Sequence, residues 1–215
     1  MKKELTHEET KGYKFPSVTT ILGVLRKPAL EYWMKVNTAE FCDAESNRAK
    51  EIGTALHDAI FQHIGRTGID TTTQYPEEVG ICIQSFMIFK QEHPEIKLTA
   101  SELKIESVKN KYSGTLDCIA EINGTPILLD WKTSKKELKV YPEHYFQIAA
   151  YIRAYEEQHK IEIKKGIVVE IGKDAVGYNI GIIEGDKIDM AFDIFKNCLK
   201  IYYKSKEFAK EIKNG

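Results

Sequence analysis

The sequence predicts a mixed α/β fold in which a helical region precedes a core built on a β-sheet. Apolar residues recur at helical spacing up to about residue 93, and from about residue 98 they alternate as they do in strands. After three such strands, helical and strand segments follow one another to the end of the 215-residue chain. The order is helices, β-β-β, α, β-β, α, which one domain of ordinary size accommodates. We expect a single domain over 1–215, with a mostly helical region at 1–93 and the core at 94–215.

The first region is typical of helices separated by capping signals. Residues 1–16 are expected to form an irregular leader. Ser17 is a suitable N-cap for a helix over SVTTILGVLRK, and Pro28 suits the first turn of a helix over PALEYWMKVNTAEF. Helical spacing of apolar residues then runs from about Ala44 to His63, and a further helix is expected from about Glu77 to Glu92.

The second region predicts strands joined by tight turns. LTASELKIESV and YSGTLDCIAEI flank a turn at 110–111, and TPILLDWKT follows Asn123-Gly124, a strong hairpin signal. These three segments predict an antiparallel meander. Pro142 then begins a helix over PEHYFQIAAYIRAYEEQH, and KGIVVEIG and VGYNIGII are two more strands. An amphipathic helix is expected from about Asp186 to Lys213.

Composition indicates the class of protein but not its activity. The apolar fraction of 42% and the charged fraction of 29% are ordinary for a globular protein, and a net charge of −1 gives no general attraction for a polyanion. No stretch reaches the roughly 18 to 20 apolar residues of a membrane span, so no membrane partner is expected. MKKELTHEETKGYKF lacks the apolar centre of a secretory signal, which favours a cytoplasmic protein.

The cysteines indicate reduced thiols rather than a metal cluster. They are scattered and form no CxxC pair, a pattern that argues against bound zinc or an iron–sulfur cluster. The four positions are Cys42, Cys82, Cys118 and Cys198.

Two carboxylates and a lysine lie close together in the predicted meander. Asp117 is on the second strand and Asp130 on the third, and adjacent strands lie about 4.8 Å apart. Lys132 follows Asp130 by two residues and therefore shares its face, whereas Trp131 points to the opposite, apolar face. Burying a carboxylate and a lysine at the end of an apolar strand is costly unless they have a purpose. Considered alone, the D-x-K pattern is short and is better explained by an ordinary Asp–Lys pair on a half-exposed strand.

The same residues suit phosphodiester cleavage with a divalent metal. Mg²⁺ or Mn²⁺ takes oxygen ligands, which Asp117, Asp130 and the backbone carbonyl of Trp131 can supply. Such a metal polarises a phosphoryl oxygen and acidifies a bound water. Lys132 can orient the water and offset the charge that develops on the phosphate.

Four short motifs resemble the PD-(D/E)XK nuclease superfamily. GTLD at 114–117 and LLDWKTSK at 128–135 resemble its motifs II and III. QIAAY at 147–151 places Gln147 and Tyr151 one helical turn apart and resembles the Q-x-x-x-Y signature of the RecB-like branch. GTALH at 53–57 resembles the G-T-x-x-H element of that branch. FPSVTTIL at 15–22 is similar to the leader of small phage and mitochondrial-type single-strand exonucleases.

The resemblance implies a restriction-endonuclease-like core, with a central mixed β-sheet flanked by helices. It also implies a Mg²⁺- or Mn²⁺-dependent DNA exonuclease that prefers single-stranded ends and acts in DNA replication, recombination or repair. His57 would bind the metal, and a glutamate on the first strand would also point into the site. Glu102 is the best match for that glutamate, and Glu106 is a weaker candidate. Gln147 and Tyr151 would position the phosphate or the strand.

Several further expectations concern DNA contacts and cofactors. Ser17 and Thr19 at a helix N-terminus, together with Lys135 and Lys136, are candidate phosphate contacts. Many RecB-like nucleases hold an iron–sulfur cluster with four cysteines, three of them near the C-terminus. Because Cys198 is the one cysteine in that region, we expect no cluster. No helicase motif is present, and a helicase or recombination partner is not readable from the sequence.

Two alternatives to an exonuclease remain open. The first is a structure- or sequence-selective DNA endonuclease on the same core, which would cut circular single-stranded DNA. The second is a nucleic-acid-binding subunit without catalysis. Such a subunit would bind nucleic acid in the absence of metal and would not cleave it with any metal. A binding module has no need of a buried metal site, so the three residues Asp117, Asp130 and Lys132 favour an enzyme.

Overall fold

The computed structural model describes residues 15–65, 75–135 and 137–214. Within these ranges six helices and five strands follow one another along the chain, and no helix there is both long enough and apolar enough to cross a membrane. In chain order they are α1 (Val18–Leu22), α2 (Pro28–Val36), α3 (Ala39–Ile64), α4 (Glu77–Glu92), β1 (Ile96–Ser107), β2 (Tyr112–Ile122), β3 (Thr125–Ser134), α5 (Pro142–His159), β4 (Lys165–Gly172), β5 (Tyr178–Glu184) and α6 (Asp186–Asn214).

The five strands form one mixed sheet in the order β1-β2-β3-β4-β5. The first three are the predicted antiparallel meander, and its second turn has Asn123 and Gly124 at φ 52° and 77°. Two successive positive φ values are those of a type I′ hairpin turn, for which Asn-Gly is the preferred pair. β3 and β4 are parallel and are joined through α5, as a parallel connection requires, and β5 returns antiparallel to β4. The predicted mixed α/β fold class is confirmed.

Helices cover both faces of the sheet. Successive side chains of β3 point to opposite faces, and Leu128 and Leu129 are both fully buried, one in each of two apolar cores. The first core lies between the sheet and α1, α5 and α6, and Phe195 is at its centre. The second lies between the sheet and α3 and α4, where Phe86 and Phe89 contact the Trp131 ring. Two of the N-terminal helices therefore form one layer of the core.

The predicted helix bounds are wrong at two places in the N-terminal region. The helix expected over SVTTILGVLRK is α1 alone, which is five residues long and ends at Leu22 with Gly23 as its C-cap. The helix expected over PALEYWMKVNTAEF is divided between α2 and α3. Asn37 and Thr38 have extended backbones at the break, and the Thr38 side chain accepts the Phe41 N–H to cap α3. A local cap thus competes successfully with continued helix.

Candidate active site

Strands β2 and β3 separate at the two predicted aspartates. Their pairing ends at Cys118 and Leu129, and Asp117 and Asp130 are the residues one step further along. β3 continues beside β4 as far as Ser134, so β3 leaves β2 at this point. Asp117 Oδ2 accepts the Trp131 backbone N–H at 2.8 Å, in the place of a strand carbonyl. The separation opens a gap in which carboxylate oxygens, rather than backbone groups, face one another.

Glu102 lies across from Asp117 on the other neighbouring strand. The register places it between the pairs Ser101–Cys118 and Leu103–Leu116, and its backbone has φ 54°. A positive φ is uncommon in a residue other than glycine, and such strain is concentrated at functional sites. The unusual backbone is therefore located at the residue predicted to point into the site.

His57 reaches the same gap from α3. Its Nδ1 lies 2.9 Å from Glu102 Oε1 and 3.7 Å from Asp117 Oδ1. Ligand atoms of these three residues all lie within 4.8 Å of one another. His57 and Glu102 are partly exposed, whereas Asp117 is buried, so the group is open to solvent on one side.

Asp130 and Lys132 form an ion pair beside this group. The Lys132 Nζ lies 2.6 Å from Asp130 Oδ2, and the carboxylate is fully buried. The other oxygen, Oδ1, is buried and has no hydrogen-bond partner among the described residues. Trp131 points to the opposite, apolar face of β3, as predicted. Its ring packs on Phe86 and Phe89, at centroid distances of 5.6 and 5.5 Å.

The electrostatics of the site are those of carboxylates brought together in a poorly solvated place. Burial raises the pKa of Asp117, and the charge of Asp130 adds to the effect. Burial lowers the pKa of Lys132, but Asp130 and Asp117 outweigh it and the net pKa is raised. For His57, burial likewise lowers the pKa, and the hydrogen bond to Glu102 and the charge of Asp117 outweigh it. The surrounding carboxylates thus raise the pKa of both Lys132 and His57.

The donor set fits a divalent cation. Carboxylate oxygens suit Mg²⁺ and Mn²⁺, and one imidazole favours Mn²⁺ of the two. The unpartnered Asp130 Oδ1 offers a lone pair with no other use in the described part of the chain. Within a strand the N–H and C=O of one residue point to the same side. Since the Trp131 N–H points at Asp117, its carbonyl faces the gap as well, as its predicted role as a ligand requires.

Gln147 and Tyr151 lie on the face of α5 that covers the site. The Gln147 Nε2 donates to the Tyr151 hydroxyl at 3.1 Å, and both side chains are buried. Burial raises the pKa of Tyr151, with further contributions from Asp130 and Asp117, so the phenol stays protonated near these carboxylates. Gly114 makes room for the ring, because a Cβ there would lie 2.7 Å from Tyr151 Cε1.

Ser17 and Thr19, two of the predicted phosphate contacts, lie at the start of α1 and further from the carboxylates. Ser17 caps α1 by accepting the Thr20 N–H at 3.1 Å, and its hydroxyl lies 3.0 Å from that of Thr19. Ser17 bridges to Ser113, which precedes Asp117 by four residues, or about 13 Å along the strand.

Lys135, one of the two lysines predicted to contact phosphate, forms an ion pair. The Nζ of Lys135 lies 2.7 Å from a carboxylate oxygen of Glu45 on α3. Lys136 lies outside the described residues. The roles of Lys135, Lys136, Ser17 and Thr19 stay predictions.

Glu170 and His144 are neighbours of the site that were not predicted from the sequence. Glu170 on β4 is 2% exposed and is the register partner of Lys132. Burial raises its pKa, and Asp130 acts in the same direction, against the Ser134 hydroxyl and Lys132. His144, in the first turn of α5, has Nδ1 3.7 Å from Glu170 Oε2. A signal was present in KGIVVEIG, where one carboxylate interrupts the apolar run that follows Lys165.

The weaker candidate on β1, Glu106, has a different environment. It is buried four residues further along the strand, and its backbone N–H donates to the Gln158 side chain near the end of α5. Glu102, rather than Glu106, is the glutamate that meets His57.

Comparison with known proteins identifies a nuclease among the relatives. No protein-family model matches the chain. The chain is similar to mitochondrial genome maintenance exonuclease 1 of Mus musculus, with 29% identity over 178 residues that cover 74% of this chain and 50% of that protein. It therefore spans about half the length of this relative. An alkaline exonuclease from Laribacter hongkongensis has a solved structure with 14% sequence identity and a TM-score of 0.44, covering 94% of this chain and 98% of that one. The similarity in sequence confirms the resemblance to nucleases that the motifs indicate.

Proposed function

We propose that this chain is a metal-dependent DNA exonuclease that hydrolyses phosphodiester bonds and prefers single-stranded ends. The observation that carries the proposal is the convergence of His57, Glu102 and Asp117 beside the buried Asp130–Lys132 pair. These side chains come from α3, β1, β2 and β3, and a purely structural role does not require carboxylates to be gathered in this way. The exonuclease name of the mouse relative supports the same activity.

His57, Asp117 and Asp130 would hold the cation, with Glu102 as a further ligand or as the partner that orients the imidazole. The Trp131 N–H fixes one oxygen of Asp117, which leaves Oδ1 to face His57. A bound Mg²⁺ or Mn²⁺ supplies Lewis-acid polarisation of a phosphate oxygen and lowers the pKa of a water. The carboxylates that repel one another without a cation would then be neutralised.

Lys132 would act on the reacting phosphate. Its side chain is 23% exposed, whereas Asp130 is fully buried, so the lysine is the member of the pair that has surface open to a substrate. A lysine in a poorly solvated site stabilises negative charge on a phosphate more strongly than it would in water. It can also hold the attacking water by a hydrogen bond.

The approach to the site follows from which residues are exposed. Exposure of the side chains rises from Asp130 through Asp117 to His57 and Glu102, so DNA would enter from the side of α3. Tyr151 and Gln147 on α5 would limit the opposite side and position the phosphate through the phenol and the amide.

The substrate, the cellular role and the location of the protein are proposed on the same basis. DNA is proposed as the substrate because the name of the mouse relative refers to genome maintenance. A role in replication, recombination or repair goes with this substrate. We retain the cytoplasmic location suggested by the sequence as a proposal, and fractionation of cells that express the chain would test it.

A digestion time course tests the proposal. Linear single- and double-stranded DNA, labelled at one end, and circular single-stranded DNA are incubated with Mg²⁺, Mn²⁺ or a chelator. We expect the linear single strands to be degraded with either metal and the circles to survive. Cleavage of the circles would indicate an endonuclease, and binding without cleavage under any metal would indicate a non-catalytic subunit.

A further inference from the structure

Glu170 is a buried carboxylate beside the site that has no part in the mechanism proposed above. It lies on β4, directly paired with Lys132 of β3 in the parallel ladder, so both side chains point to the α5 face. Paired residues on adjacent strands are about 4.8 Å apart at the backbone. Glu170 is 2% exposed, and its Oε2 has no hydrogen-bond partner within the described ranges. A buried acceptor without a partner is costly, so its retention calls for an explanation.

Lys132 faces a conflict that Glu170 can resolve. In the structure the ammonium lies 2.6 Å from Asp130 Oδ2, and Oδ1 of the same carboxylate is the oxygen left open for a cation. A divalent cation held by Asp130 Oδ1 would repel the ammonium and would draw on the charge of the same carboxylate. The Asp130–Lys132 pair would therefore be weakened when a cation is bound, and Lys132 would need another anionic partner close by to stay ordered.

We infer that Glu170 is a positioning residue for Lys132, and that its carboxylate receives the ammonium when a divalent cation binds Asp130. The inference rests on the proposed function, because it takes the carboxylates around Asp130 to be a cation site. Asp130 and Glu170 are near Lys132 on the same face of the sheet, so the exchange needs a change of side-chain rotamer and no movement of backbone. The charge of Lys132 is then held at the edge of the site, where a phosphate arrives.

Two other side chains, His144 and Ser134, lie close to the Glu170 carboxylate. His144 approaches from α5, with Nδ1 3.7 Å from Glu170 Oε2, and the same nitrogen accepts the Tyr141 N–H at 3.4 Å. The imidazole thus lies over the carboxylate on the side away from the sheet. Lys132, on the neighbouring strand, is the cation placed to approach Oε2 from within the sheet.

The experiment is a double-mutant cycle read by calorimetric titration with Mn²⁺. The variants are Glu170→Gln, Lys132→Met and the two combined, in the full chain. In the presence of Lys132, we expect Glu170→Gln to weaken Mn²⁺ binding about tenfold, the usual effect of removing an outer partner of a metal ligand. In the Lys132→Met background the same change should have little effect, because no ammonium needs to be relocated. An equal loss in both backgrounds, or no loss in either, overturns the inference.

Glu106→Gln provides a matched control. Glu106 is also a buried glutamate with an unpartnered Oε2, but it lies on β1 near the end of α5. It should leave Mn²⁺ affinity unchanged. If Glu170→Gln fails to fold, Glu170→Asp retains the charge on a shorter side chain, and we expect it to keep most of the affinity. If Glu170→Asp folds but binds Mn²⁺ about tenfold more weakly than the wild type, the positioning role is contradicted.

Kinetics on labelled single-stranded DNA give a second measurement. We expect Glu170→Gln to lower kcat by about tenfold or more with little change in KM, because Lys132 would act in the chemical step rather than in binding. A change confined to KM contradicts this. If the wild type binds Mn²⁺ with the predicted coupling but cleaves no DNA, the proposed function fails and the positioning role stands. If the wild type cleaves DNA and the coupling is absent, the positioning role alone fails.

Discussion

Because Glu102 has a left-handed backbone, two substitutions there should differ in stability although both weaken metal binding. We compare Glu102→Gly with Glu102→Ala, which both remove the carboxylate and the hydrogen bond to His57. In ordinary strand positions, glycine is less stable than alanine by about 0.5–1 kcal/mol. At φ 54° the order should reverse, because the left-handed region disfavours the Cβ of alanine, whereas glycine has no Cβ.

The size of the reversal follows from the same backbone. A residue with a Cβ in the left-handed region costs roughly 1–2 kcal/mol, and the entropy of glycine in the unfolded chain offsets about 0.5–1 kcal/mol of this. The net difference is about 1 kcal/mol in favour of Glu102→Gly, or about 2–4 °C in Tm for a chain of this length. The common loss of the hydrogen bond cancels in the comparison, so the difference reports the backbone alone.

Thermal and urea unfolding of the metal-free variants measure this difference, and titration with Mn²⁺ measures the function. We expect Glu102→Gly to be the more stable variant and both to bind Mn²⁺ more weakly than the wild type. Equal stability, or a more stable Glu102→Ala, would refute the reasoning about strain. Unchanged Mn²⁺ binding in both would remove Glu102 from the metal site.

Four further predictions follow from the site. Mn²⁺ at 100 times its Kd should raise the free energy of unfolding by about 2.7 kcal/mol, and a chelator should reverse the gain; a Tm that ignores Mn²⁺ would show that no cation is bound. Gly114→Ala should destabilise the protein by about 1–3 kcal/mol because its Cβ meets the Tyr151 ring, whereas Gly53→Ala, with nothing within 4 Å, should not; equal urea midpoints would contradict this. His57→Ala should weaken binding of Mn²⁺ more than of Mg²⁺ in calorimetry, because imidazole is a poorer ligand for Mg²⁺. Tyr151→Phe should cost about 1–3 kcal/mol in urea unfolding because the buried Gln147 amide loses its acceptor, and a wild-type value would indicate that another group replaces it.

The elements that the sequence predicts best are those with strong punctuation. α5 begins at Pro142 and ends at His159 as expected, and β4 covers the predicted KGIVVEIG. The break between α2 and α3 was not predicted, because Asn37 and Thr38 lie in a segment whose composition is compatible with continued helix. Only the cap formed by Thr38 decides the matter.

The candidate site was predicted in its residues more completely than in its geometry. The motifs indicated His57, Glu102 and Asp117, and the structure brings them together. The separation of β2 from β3 depends on tertiary packing and has no local sequence signal. Glu170 was missed for a related reason, because only the register of β4 against β3 places it beside Lys132.

The central claim is that the carboxylates and Lys132 form a metal-dependent nuclease site, and one assay tests it most directly. Degradation of end-labelled single-stranded DNA with Mn²⁺ is followed for the wild type, Asp130→Asn and Lys132→Ala, with folding checked by circular dichroism. We predict degradation by the wild type that stops with chelator, and a fall in rate of about 10²-fold or more in both folded variants. Wild-type rates in both variants, or degradation that continues in chelator, would contradict the claim.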